Sequence, residues 1–226
     1  MAIDGPAGAG KSTLGQALAQ ALDCAVLDTG LMYRALTREA QEAGIEPIDG
    51  GALTDLARRL RFELSNEGPR SELLLNGKVL SPATLHRPEI DRDVSAVSAH
   101  PGVRGVVVAQ QRELANRSPI VVLGRDIGTV VLPDAGVKLF VTASSEVRAA
   151  RRMAEAQADA APVDERELHA ELSRRDHIDS SRPVSPLVAA SDAIWLDTGN
   201  LTVNEAIEAA CGAVSHALES VRPSPG

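Results

Sequence analysis

The chain has 226 residues with 31 acidic and 23 basic side chains, a formal charge of −8, and 44% hydrophobic against 24% charged residues. This near-average composition excludes a disordered tail or a fibrous repeat, and the acidic balance argues against a broad nucleic-acid footprint, which needs clustered positive charge. The four aromatics, Tyr33, Phe62, Phe140 and Trp195, are too few for a base-stacking surface and leave the core to Ala, Val, Leu and Ile. The longest apolar runs, such as Ile120–Leu123 and Val130–Leu132, fall far short of the roughly 20 residues that span a bilayer. The N-terminus has neither a basic nor an apolar signal region. A single domain over residues 1–226 is therefore expected, acting on small molecules and not on membranes or nucleic acid; the chain is also expected to be cytoplasmic and a monomer, although nothing in the sequence sets its oligomeric state. Cys24 and Cys211 read as small buried side chains and not as a disulfide framework.

In chain order, Met1–Asp4 reads as a strand running into a glycine-rich turn and then a helix with Leu14, Leu18, Ala21 and Leu22 on one face. Cys24–Leu27 is the second strand. Between Phe62 and Leu80 the rhythm breaks: Asn76-Gly77 between apolar runs is a strong hairpin signal, because both residues tolerate positive φ. Residues 60–92 are thus expected to form a small antiparallel insertion. Glu89–Ala99 and Pro101–Asn116 look helical. Ile120–Leu123, Val137–Thr142 and Ala193–Leu196 complete the strands. Residues 150–182 suggest a helical lid whose tip is Ala158–Asp164 with Pro162. The last helix opens with Thr202 and Glu205 in capping-box spacing, carries Val203, Ile207, Ala210, Val214 and Leu218 on one face, and leaves a frayed tail at 223–226. Alternating strands and helices predict an α/β fold, a five-stranded parallel sheet covered on both faces.

Gly5-Pro6-Ala7-Gly8-Ala9-Gly10-Lys11-Ser12, followed by Thr13, matches G-x-x-x-x-G-K-[ST] at every fixed position, after a strand and before a helix. Glycines let successive N–H groups face one anion, and the helix N-terminus adds partial positive charge. Lys11 would reach the β- and γ-phosphates of a nucleotide, and the Ser12 hydroxyl would ligate Mg²⁺. The competing reading is an ordinary glycine-rich turn. No Asp is followed three residues later by Gly, and no Asn-Lys-x-Asp occurs, so a guanine-nucleotide switch is disfavoured.

Twenty of the basic residues are arginine, the side chain suited to bidentate oxyanion contacts, although genome base composition produces the same bias. Phosphoryl transfer asks mainly for alignment and charge stabilisation. Arg34, Arg125 and Arg182 each stand in a turn-rich or strand-end setting. Asp28 and Arg125 follow predicted strands, where ligands of open α/β sheets sit. Lys11, Arg125 and Arg182 are the candidate charge-stabilising groups, with no protein nucleophile. Residues 144–182 hold seven arginines and nine acids, so a solvated face of ion pairs competes with a ligand-binding lid for Arg166 and Arg174. Arg151 and Arg152 occupy adjacent helix positions, so at most one is expected to face a ligand; Arg151 is taken as the nucleotide contact.

Ile-Asp-Gly-Pro-Ala-Gly-Ala-Gly-Lys-Ser-Thr, Leu-Asp-Thr-Gly-Leu-Met-Tyr-Arg, Gly-Arg-Asp-Ile-Gly-Thr-Val-Val-Leu-Pro-Asp-Ala and Arg-Arg-Asp…Asp-Ser-Ser-Arg-Pro-Val-Ser-Pro-Leu resemble, in order and over almost the whole chain, the bacterial cytidylate kinases. The resemblance implies a P-loop kinase fold, ATP and Mg²⁺ as cofactors, and phosphorylation of CMP or dCMP. It implies that 60–92 enlarges the monophosphate-binding region, that Ser95, Arg104 and Asp126 read cytosine, that Arg175 and Asp179 contact the pentose, and that Arg34, Arg125 and Arg182 clamp the phosphate. Asp28, Thr29 and Tyr33 belong to the same acceptor segment as Arg34. A carboxylate facing the exocyclic amine, with Arg and Ser donating to O2 and N3, rejects bases of opposite polarity.

Two departures stand out. Leu123 occupies a position where the family commonly carries an acid near the Mg²⁺ waters, which questions the ordering of the metal's outer shell. Only four residues precede Gly5, whereas strands typically run to about five or six, so part of the N-terminus is expected to be missing. Besides the enzyme, two readings remain: a regulatory module that holds ATP without transfer, and a P-loop kinase for another small acceptor.

Overall fold

The computed structural model describes residues 1–65, 71–158 and 164–221. The elements follow in the order β1 (Ala2–Asp4), α1 (Lys11–Ala21), β2 (Ala25–Asp28), α2 (Thr29–Glu42), α3 (Gly50–Arg59), β3 (Phe62–Leu64), β4 (Leu73–Leu75), β5 (Lys78–Val79), α4 (Pro82–Leu85), α5 (Pro88–Ala99), α6 (Pro101–Ala115), β6 (Ile120–Gly124), β7 (Lys138–Thr142), α7 (Ser145–Ala158), α8 (Glu165–Ser181), β8 (Ile194–Asp197) and α9 (Val203–Val221). A five-residue π-helical turn at Ile127–Val131 follows β6.

The main sheet has the order β2-β6-β1-β7-β8, parallel throughout. β1 is central: Ala2 pairs with Val122 on one side and Lys138 on the other. Ile120–Gly124 is buried at every position, as a strand covered on both faces must be. One apolar cluster, including Met32, Leu36, Val107 and Val122, lies between the sheet and the helices of the inserted side. The other joins Ile3, Leu14, Leu18, Leu123 and Leu139 to Ala210 and Val214 of α9.

β3, β4 and β5 form the antiparallel sheet expected around Asn76-Gly77, whose φ angles are 50° and 78°. Ser71 ties this insertion to the edge of the main sheet by accepting from the Val26 N–H at 3.1 Å.

Two helical faces differ from expectation. On α1 the buried residues are Leu14, Gly15, Leu18 and Ala19, whereas Leu22 is 40% exposed; the helix stops at Ala21 and the chain reverses through Asp23 at φ 49°. On α9 the buried stripe is Ala206, Ala210 and Val214, and the ends at Val203 and Leu218 face outward. The Thr202–Glu205 box closes as expected, with Glu205 accepting from Thr202 N–H at 2.8 Å and returning its own N–H to the Thr202 hydroxyl at 3.3 Å. Cys24 and Cys211 are free and half-buried beside the second cluster. The expected lid tip at 158–164 and the tail at 223–226 fall almost wholly outside the described residues. Among those described, no helix is long and apolar enough to cross a membrane.

Candidate active site

β1 ends at Asp4 and the chain turns back through residues 5–10 before α1 begins. Gly5 has φ 150°, and a Cβ there would stand 2.0 Å from the Val141 carbonyl oxygen, so only glycine fits. Gly10 is the N-cap of α1 and offers no side chain to the first-turn amides, nor does that turn contain an acid. Uncapped N–H groups and the helix dipole together make an anion site. Lys11 lies across it, donating to the Pro6 carbonyl at 2.7 Å. Burial holds its pKa well below the ordinary lysine value, a penalty that an arriving polyanion would offset. Arg148 buttresses the loop, reaching the Ala7 carbonyl at 3.2 Å and Asp176 of α8 at 2.7 Å.

The Ser12 hydroxyl donates to Asp28 at 2.8 Å, and the other Asp28 oxygen accepts from the Gly30 N–H, capping α2. These hard oxygens fit Mg²⁺. The described residues contain no cluster of three or more His, Cys, Asp or Glu able to hold a metal. Leu123 is 1% exposed and its Cδ2 lies 2.4 Å from where a Cβ on Gly15 would stand, so it is core, with Asp28 as the carboxylate beside Ser12.

The acceptor side assembles from four distant segments. Arg104 of α6 and Asp126 are both buried and joined by a short ion pair, and Arg104 lies over the Tyr33 ring with its Cζ 5.5 Å from the centroid. Burial pushes the Tyr33 hydroxyl up to about 12, so it stays protonated. Arg182 stands between two carboxylates, Asp126 at 3.7 Å and Asp179 at 4.0 Å, with Nε on the Ser185 carbonyl. Arg125 donates to Asp179 at 2.9 Å. Arg34 donates to the Leu85 carbonyl at 3.0 Å and to Asp91 at 2.5 Å, and Arg175 pairs with the same Asp91. Burial holds Arg175 down, to about 10. Thr29 donates to the Leu123 carbonyl at 2.7 Å, and Ser95 is buried on α5.

One cavity of about 1060 Å³ collects every expected site residue except Gly5 and Pro6. Arg34, Arg125 and Arg182 therefore share a recess with Lys11. Arg151 and Arg152 both line it: Arg151 is fastened to Thr198, through the hydroxyl at 3.0 Å and the carbonyl at 2.7 Å, and Arg152 pairs with Glu155. Arg166 and Arg174 are exposed; Arg174 donates to the Arg92 carbonyl at 2.8 Å. Asp91, Arg148 and Thr198 are site supports that sequence reading missed. Asp91 was findable, one helical turn before Ser95 on the same face; nothing marked Arg148 among its neighbours.

The family profile described as "Cytidylate kinase" matches residues 1–216. The chain belongs to the cytidylate kinase family. It is accordingly a nucleoside monophosphate kinase, a phosphotransferase with ATP as phosphate donor. The cytidylate kinase of Mycobacterium avium (strain 104) is 46% identical over 209 residues, covering 92% of this chain and 91% of that one. That of Rhodococcus jostii (strain RHA1) is 43% identical over 208 residues, with 92% and 90% covered. The bifunctional pantoate ligase/cytidylate kinase of Parasynechococcus marenigrum (strain WH8102) is 43% identical over 211 residues, which are 92% of this chain but 42% of the fused enzyme. Among solved structures, shikimate kinase from Bacteroides thetaiotaomicron aligns over 96% of this chain and 97% of its own at 16% identity and a TM-score of 0.49, too distant to bear on the reaction.

Proposed function

We propose that this cytidylate kinase family member transfers the γ-phosphoryl group of ATP, bound with Mg²⁺, to CMP or dCMP, giving CDP or dCDP in pyrimidine nucleotide metabolism. The observation that carries this is the shared cavity: an uncapped glycine loop with Lys11 faces a buried Arg104–Asp126 pair across Arg34, Arg125 and Arg182. In this reading Gly8, Gly10, Lys11, Ser12 and Thr13 hold the triphosphate, and Arg151, lining the same cavity, contacts the nucleotide. Ser12, with Asp28 beside it, would hold Mg²⁺, which would supply charge neutralisation on the phosphates. Arg34, Arg125 and Arg182 exchange their internal carboxylates for the acceptor's phosphate. Asp126, Arg104 and Ser95 read the base, and Arg175 with Asp179 meets the pentose. Lys11, Arg125 and Arg182 then answer the charge that spreads over the equatorial oxygens, so catalysis is positioning and electrostatics with no covalent intermediate. Residues 60–92 serve as the monophosphate-binding insertion and 150–182 as a lid that excludes water. The protein acts as a cytoplasmic monomer.

The test is a coupled assay of ADP release with CMP, dCMP, UMP, AMP and GMP. CMP and dCMP should lead; a clear preference for AMP or GMP overturns the base assignment. Tight ATP binding with no turnover on any monophosphate would instead favour the regulatory reading.

A further inference from the structure

Asp4 is a buried carboxylate that the transfer chemistry does not use. It ends β1 immediately before Gly5 and is 4% exposed. Its two oxygens accept from the backbone N–H groups of Ile127 and Gly128, each at 2.7 Å, across more than a hundred residues of chain. Burial raises its pKa and the two peptide donors oppose that rise; the Asp126 charge adds to the rise and Lys11 offsets it. A buried carboxylate without a close cation is costly compared with an apolar side chain of the same size, so packing alone does not account for it.

The local backbone supplies the reason. The π-helical turn at Ile127–Val131 starts directly after Arg125 and Asp126, and the first amides of any helical turn lack partners within it. Asp126 stands at the N-cap position, yet its carboxylate caps nothing and faces Arg104. The capping task has passed to Asp4, on a different strand. The approach is close: a Cβ on Gly128 would stand 3.4 Å from Asp4 Oδ2 and 3.1 Å from Cδ of Lys138.

We propose that Asp4 is a positioning residue for the acceptor: it fastens the turn after β6 to the end of the phosphate-cradle strand, so that Arg125 and Asp126 project into the cavity at a fixed distance from Lys11. One side chain thereby sets the spacing between donor and acceptor sites, and releases Asp126 from capping to face the base. This inference rests on the acceptor pocket lying where the proposed function puts it.

Asp4→Asn keeps the volume but turns an NH₂ toward one of the two N–H donors. The expected result is a KM rise of about tenfold for whichever monophosphate the wild type prefers, weaker discrimination among bases, and a KM for ATP within about twofold of wild type. An equal rise in both KM values, or a lowered melting temperature with both unchanged, assigns Asp4 a merely structural role and overturns the proposal. Should the variant not fold, amide exchange in the ligand-free wild type decides: Ile127 and Gly128 N–H groups exchanging as slowly as those of β6 support the tie, and fast exchange refutes it. A wild type that prefers AMP or GMP sinks the base assignment without touching this comparison.

Discussion

The Ser12 hydroxyl donates to the Asp28 carboxylate across 2.8 Å, so the residue proposed to meet a metal ion already has an acid beside it. Asp28→Asn is expected to raise the Mg²⁺ concentration for half-maximal activity by about tenfold, as loss of an outer-shell carboxylate does, with little effect on the KM for CMP. A Mg²⁺ titration at saturating CMP measures it; an unaltered midpoint would remove Asp28 from that role.

Leu123 stands where the resemblance leads one to expect an acid, and its packing against Gly15 determines what placing an acid there would do. Leu123→Glu buries a carboxylate among Ile3, Leu14 and Leu139. The expected outcome is a fall in Tm of at least about 5 °C with no gain in turnover, since an uncompensated buried charge costs several kcal/mol. Calorimetry with and without Mg²⁺ checks it; recovery of Tm by Mg²⁺ would mean the new carboxylate reaches the metal.

The Arg104–Asp126 pair is almost completely buried, with side-chain exposures of 3% and 6%. Asp126→Ala should therefore act twice, destabilising the fold by about 3–5 kcal/mol because Arg104 is left unpaired, and narrowing the rate ratio between CMP and the other monophosphates. Denaturant unfolding and parallel kcat/KM values separate the two effects. A uniform loss across all monophosphates would argue against direct reading of the base.

Lys11→Ala should lower kcat by roughly 10²–10³-fold while moving the KM values less, because its charge matters most as the phosphoryl group leaves. Single-turnover kinetics at saturating substrates is the measurement, and turnover within a few-fold of wild type would contradict the assignment.

How much of this was legible in the sequence varied with the range of the interaction. Gly5 to Ser12 is a local device in which spacing alone states the geometry, and Asn76-Gly77 is another. The strands too were legible, because a buried parallel strand writes itself as a short apolar run. Ser95 gave no sign: a small polar residue on a helix looks the same whether it faces water or a cavity. Asp4 was invisible for a deeper reason, since its partners are backbone amides more than a hundred residues away, and N–H groups carry no sequence signature. The ends of α1 and α9 were misread because periodicity locates a face but does not say where the chain turns off the sheet.

Stability in acid should fall in a defined window. Burial alone would raise the carboxyls of Asp179 and Asp91, but Arg125 and Arg182 beside the first, and Arg34 and Arg175 beside the second, hold both below the ordinary carboxylate range. The unfolded chain then binds more protons in acid, so this stabilisation is complete above about pH 4 and is lost as pH drops through the lower folded values. Melting curves from pH 6 to pH 3 should steepen at the acid end, and Asp179→Asn should start lower but decline less. A parallel decline in both proteins would exclude Asp179 as a contributor.

The central seat of β1 has a consequence for how the protein is made. Ala2 waits for Val122 and Lys138, so about 120 further residues must leave the ribosome before the strand meets even the first of these neighbours. At about 5–20 residues per second that leaves several seconds or more in which the glycine loop has no scaffold.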